Sequence, residues 1–78
     1  MSDDLKVVRL KYLVKAAGVN VSELSTLAGY NRMHVTNMFN GKAQATPRFW
    51  ALIRKGWADY RLKREEEFAE ISALLDTL

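Results

Sequence analysis

Cysteine is absent from this 78-residue chain and histidine occurs once, so neither a disulfide framework nor a zinc shell can be assembled from it. No apolar run approaches the roughly 20 residues that cross a bilayer, and the opening Met-Ser-Asp-Asp is acidic where a signal peptide is basic. A cytoplasmic protein with no membrane partner is expected. Repeats, linkers and low-complexity tracts are also missing, which leaves one small domain. At this size a single core holds with little margin, and with disulfides and metal excluded the remaining staple is oligomerisation. The composition, 49% apolar and 27% charged, is that of a folded chain.

The last 14 residues contain no Lys or Arg. They hold Glu65, Glu66, Glu67, Glu70 and Asp76, a net charge of −5, whereas residues 1 to 64 carry 12 basic against 4 acidic residues, a net +8. The overall +3 therefore conceals a chain with two electrical ends. A basic body suits phosphate attraction, in which neutralised phosphates release counterions, and an acidic tail would be kept away from it.

The most informative stretch runs from Asn20 to Lys42. Asn20 with Glu23 three residues on makes a capping box that starts a helix. Leu24, Leu27 and Ala28 share its inner face, and Gly29 follows where a left-handed cap would end it. A turn from Gly29 to Asn31 leads into a second helix, with Val35, Met38 and Phe39 inward and Arg32, Met33, Thr36 and Asn37 outward. This is the pattern of a DNA-binding helix-turn-helix.

The spacing of Ser25, Gly29 and Val35, closed by Phe-Asn-Gly-Lys at Phe39 to Lys42 and a downstream Thr-Pro, resembles the Cro and lambda-type phage repressor domains. The resemblance covers roughly Leu10 to Trp57. Each of the three positions has a packing reason: a close helix crossing, a chain reversal and an apolar plug. The resemblance implies an all-α, lambda-repressor-like domain of four to five helices, with Asn31, Arg32, Met33, Thr36 and Asn37 facing base edges. It also implies phage or plasmid-like autoregulation. The chain departs from the pattern at Val21, where Gln commonly bonds a phosphate, and at Ser25, usually Ala, whose hydroxyl must bond back to a carbonyl or face solvent. It departs again at Val14, where an Arg often sits and where greasier packing is expected instead.

The chemistry of the reading set agrees with that assignment. Arg32 can fork onto guanine, Asn37 can pair bidentately with adenine, and Met33 or Thr36 can touch a thymine methyl. Backbone phosphates would be met by Lys42, Arg48 and Thr46, the last also capping its helix. His34 sits beside this surface within reach of a phosphate, although a lone histidine is commonly a neutral exposed side chain. Tyr30, in the turn, either packs on the hinge or hydrogen-bonds a phosphate. Arg54 and Lys55 read as charges complementing the end of the fourth helix.

Around the motif, residues 3 to 17 form a first helix capped by Ser2 or Asp3 and ended by Gly18. Its stripe of Val7, Leu10, Leu13, Val14 and Ala17 would pack on the motif. Leu5, Val8 and Tyr12 occupy a second side, which the C-terminal segment or another subunit must cover. Thr46-Pro47 starts a fourth helix, with Phe49, Trp50, Leu52 and Ile53 as its apolar residues and a break expected at Gly56. The aromatics Phe49, Trp50, Trp57 and Tyr60 are spaced for core or interface, not for stacking single-stranded nucleic acid. Residues 1 to 58 are thus read as the DNA-binding domain and 59 to 78 as a C-terminal helix for dimerisation or packing. That helix should carry Arg61/Glu65 and Lys63/Glu67 pairs and a seam of Phe68, Ile71, Leu75 and Leu78, spaced 3, 4 and 3.

Two functions follow. The first is a sequence-specific binder of double-stranded DNA, a small repressor-type regulator acting as a homodimer on an inverted repeat by promoter occlusion or contact with RNA polymerase. The second is a protein-interaction module of antitoxin or antirepressor type that uses the seam. No nucleophile-base pair, metal-ligand cluster, cofactor motif or phosphate loop argues for an enzyme, and the carboxylates at 65 to 67 read as a solvated helix face.

Overall fold

The computed structural model describes residues 2–78, with side-chain surroundings from Leu5 onward. The described residues form four helices and no strand: α1 (Ser2–Ala16), α2 (Val21–Ala28), α3 (Arg32–Phe39) and α4 (Pro47–Asp76). The cap expected at Ser2 or Asp3 lies outside the described side chains. No described helix is long and apolar enough to cross a membrane.

Helix α2 begins on Asn20, whose extended backbone lets Oδ1 accept the Glu23 N–H at 3.1 Å. The reciprocal half of the capping box does not form. Instead the Asn20 N–H donates to the Tyr60 hydroxyl at 3.1 Å, and the Glu23 carboxylate accepts from Lys63 at 2.6 Å and from Arg64. Two cations of α4 offer a carboxylate more than one neutral amide does. The helix ends at Gly29, left-handed at φ 78°, and the Tyr30 N–H returns to the Ser25 carbonyl at 2.9 Å. Ser25 is buried, and its hydroxyl bonds back to the Val21 carbonyl at 2.6 Å, so the polar atom costs the core little.

Helix α4 departs most from expectation. Gly56 does not break it: one helix of 30 residues runs through, so the division at residue 58 falls inside an unbroken element. A glycine stands here because α2 crosses at this point. A Cβ on residue 56 would lie 2.7 Å from the Ala28 Cβ and 2.8 Å from its Cα and N. The flexibility penalty of a mid-helix glycine, about 1 kcal/mol, is offset by that close approach. Arg54 and Lys55 are accordingly mid-helix residues and complement no helix end.

The core centres on Leu24, Val35 and Phe49 and is closed by Val7, Met38, Ile53 and Tyr60. Val14 is buried, as greasier packing requires. The expected α1 stripe is narrower than read, because Leu13 and Ala17 are exposed. Helix α2 packs on α4 and α3, whereas α1 packs on α3 and diverges from α4. A groove of about 460 Å³ lies between α1 and α4, walled by Leu10, Leu13, Trp50 and Trp57.

Beyond Arg64, α4 leaves the domain, and residues 65 to 78 are all exposed. The radius of gyration is 14.8 Å, against about 11.5 Å for a compact chain of this length. The C-terminal segment therefore does not fold back, and Leu5, Val8 and Tyr12 of α1 remain uncovered. Along the helix the Arg61–Glu65 pair forms at 3.5 Å. The expected Lys63–Glu67 pair does not, since Lys63 reaches Glu23 and Glu67 is taken by Arg64 at 2.9 Å.

The Glu23 cluster makes stability depend on acidity. The hydrogen bond from Lys63, against a smaller opposing desolvation and helped by the Arg64 charge, holds the Glu23 carboxyl below its usual range. A carboxylate depressed in the folded state stabilises the fold above its unfolded value, about 4.3, and loses that contribution as pH falls through the lower folded value. Melting curves from pH 6 down to about pH 3 are expected to show a shallower acid decline for Glu23→Gln than for the wild type. Parallel declines would remove Glu23 from the acid response.

Candidate nucleic-acid interface

Between Glu23 and Asp59 the chain carries no carboxylate, while Arg32, Lys42, Arg48, Arg54 and Lys55 are basic. Helix α3 lies in this acid-free interval. Asn31 caps it from an extended backbone, its Oδ1 accepting the Met33 N–H at 2.8 Å. That bond occupies the Asn31 oxygen and leaves its amide N–H₂ as the polar end facing solvent. Val35, Met38 and Phe39 anchor the opposite side in the core.

Helical spacing sorts the rest. Arg32 with Thr36 and Met33 with Asn37 are four residues apart and adjoin on the outer face. Arg32 and Met33 are exposed in the first turn, Met33 at 67%, and Thr36 and Asn37 are half-buried in the second. Four of the five expected reading residues, Arg32, Met33, Thr36 and Asn37, therefore share one accessible strip, with the longest side chains at its leading end and the fifth, Asn31, at the cap before it. A solvent-facing methionine ahead of a polar strip favours an apolar partner over water.

The flanking residues divide by what they touch. Tyr30 is half-buried, stacked on His34 at 5.4 Å between ring centroids and tilted against Phe49 at 5.6 Å. Its ring packs on the hinge, and His34 lies over it at the edge of the strip. Lys42 is exposed directly after α3, its N–H bonded to the Asn37 carbonyl at 2.8 Å across Gly41, which adopts φ 76°. The Asn-Gly-Lys sequence is thereby a helix terminator that leaves a lysine beside the strip. Thr46 caps α4 by accepting the Phe49 N–H at 3.1 Å, with Arg48 exposed in the first turn. The seam residues Phe68, Ile71, Leu75 and Leu78 sit on the projecting part of α4, remote from α3 in the chain and exposed.

Lys11 escaped the sequence reading. Its Nζ donates to Asn40 Oδ1 at 3.1 Å, bringing an α1 ammonium to the C-terminal end of α3. The partners are 29 residues apart, and no local pattern marks them. The cation complements the negative end of the α3 dipole and adds to the basic surroundings of the strip.

The chain matches no known family model, no curated protein and no solved structure.

Proposed function

We propose that this chain is a sequence-specific duplex-DNA binder of the Cro and lambda-repressor type, a small non-enzymatic transcriptional regulator acting in the cytoplasm as a homodimer on an inverted repeat. The observation that carries the reading is the α3 strip: two potential bidentate readers, Arg32 and Asn37, and two methyl-contacting residues, Met33 and Thr36, on a helix anchored by Val35, Met38 and Phe39. The acid-free interval and the flanking Lys42, Arg48 and Lys11 support it, since phosphate contacts position a helix whose side chains then read bases. Asn31 contributes its amide N–H₂ at the tip. Tyr30 and His34 border the strip, with the Tyr30 ring serving chiefly to brace the turn, and Thr46 adds a hydroxyl at the cap of the next helix as a phosphate contact. In this mechanism α3 enters a major groove, and half-site centres lie about 10 to 10.5 base pairs apart or at a multiple of that.

Selection from a random duplex pool tests the reading. The wild type is expected to enrich an inverted repeat, and Asn37→Ala to relax one position per half-site by about 1 to 3 kcal/mol, roughly 5- to 150-fold. Affinity should fall steeply with salt for both proteins. No enrichment, with weak binding that salt abolishes equally in both, would defeat it. That result would favour the second reading, a protein-interaction module of antitoxin or antirepressor type, for which the uncovered apolar residues of α1 and of the α4 tail speak.

A further inference from the structure

Because α4 is continuous, the exposed seam of its tail extends backward along the same helix. Trp50, Arg54, Trp57, Arg61, Arg64, Phe68, Ile71, Leu75 and Leu78 follow one another at alternating spacings of four and three. This single heptad stripe spans nearly the whole helix. Its first part, Trp50, Arg54 and Trp57, floors the groove opposite α1, and a second hollow of about 420 Å³ continues it past Arg61 and Arg64 to Phe68. The stripe is thus a prepared channel at one end and an uncovered apolar ridge at the other, with Phe68 63% and Leu78 92% exposed.

We infer that the channel receives the tail of a second copy of this chain, in an antiparallel α4–α4 dimer in which each tail fills the other's groove. Charge decides the direction. A parallel pair would align Glu65, Glu66, Glu67 and Glu70 with their own copies, whereas an antiparallel pair carries each acidic tail, net −5, back over the basic body, net +8, of the other copy. The register follows from matching the apolar positions of the stripe. Phe68 of the second copy lies opposite Trp57 and Leu75 opposite Trp50, with Ile71 over the Arg54 stem, and Arg61 and Arg64 meet their counterparts at the two-fold axis, each already paired with a carboxylate of its own chain, Arg61 with Glu65 and Arg64 with Glu23 and Glu67. The arrangement is isologous, so both tails and both channels are consumed and the assembly closes at two copies. It explains why the α1 and α4 helices diverge over an apolar floor, and it covers Leu13 and Trp57, which the single chain leaves exposed.

The inference supplies the interface for the homodimer of the proposed function but is tested without DNA. The chain has no cysteine, so single-cysteine variants report cleanly. Arg54→Cys and Ile71→Cys, both at exposed positions, are mixed and treated with a short bis-maleimide. A covalent heterodimer is expected from the mixture and none from either variant alone, because like positions stand roughly 25 Å apart along the helix axis. Ile71→Asp is expected to turn a dimer into a monomer in sedimentation while keeping the helical circular dichroism. Self-linking of a Leu75→Cys variant, or a wild-type monomer at every concentration reached, would overturn the proposal. A linked dimer that enriches no DNA sequence would leave this inference standing and remove the DNA reading, and a monomer that enriches a single half-site would do the reverse.

Discussion

Gly56→Val is expected to remove most of the stability of the domain. The position sits where α4 touches α2, and the atoms that a Cβ would strike include the Ala28 backbone at 2.8 Å, so no rotamer change relieves the clash. Helix α2 must retreat, and with it Leu24, which is almost wholly buried. Overpacking typically costs about 1 to 3 kcal/mol, and a β-branched residue against backbone belongs at or beyond the upper end. A domain of this size rarely holds more than about 3 to 5 kcal/mol in total. Gly56→Ala separates the terms, since it recovers about 1 kcal/mol of helix propensity while retaining the clash, and it should fall between the wild type and the valine variant. Adding Ala28→Gly to Gly56→Ala removes the Cβ contact but leaves the Cα and N of residue 28 at 2.8 Å, so it should not restore the loss. Urea midpoints read all four proteins, and a valine variant that melts with the wild type would show that α2 and α4 are not held at this distance.

Phe49→Ala should cost about 3 to 5 kcal/mol, comparable to the whole stability of the domain. The ring is completely buried, edge-on to Trp50 at 5.2 Å and beneath Tyr30, so its removal opens a cavity under the turn that aims α3. The loss should appear as a lowered urea midpoint with an unchanged slope and should not vary with protein concentration. Phe68→Ala offers the contrast: an equally large ring, exposed on a single chain, whose removal should matter only through association and therefore in a concentration-dependent way. Equal and concentration-independent losses at the two positions would mean that the tail packs on its own domain.

What could be read from residues alone was what local geometry dictates. Asn20, Gly29, Asn31 and Thr46 mark helix ends through bonds made within a few residues, and each stands where its pattern placed it. The inner faces of α2 and α3 were equally legible, because periodicity is itself a statement about which side is buried. The failures share one cause. Glu23 fits a capping box until Lys63 and Arg64 arrive from 40 and 41 residues away. Gly56 looks like a helix breaker until Ala28 is set against it. Lys11 carries no local mark of its bond to Asn40. In each case a distant partner outweighed a local preference worth about 1 kcal/mol or less. The outer strip of α3 was legible because it depends only on α3 itself, and the channel was not, because it exists only once α1 and an unbroken α4 are placed side by side.

The unbroken α4 also fixes an angle. Each residue added to a helix turns everything beyond it by about 100°, so the direction in which the tail ridge points is set by a count of residues from the cap at Thr46. One residue gained or lost between Arg64 and Phe68 would swing the ridge out of line with the channel while every side chain remained present. Seven would bring it back nearly into phase, one heptad further out. The length of this segment is therefore as much a determinant of the molecule as its composition, and it is constrained in steps rather than continuously.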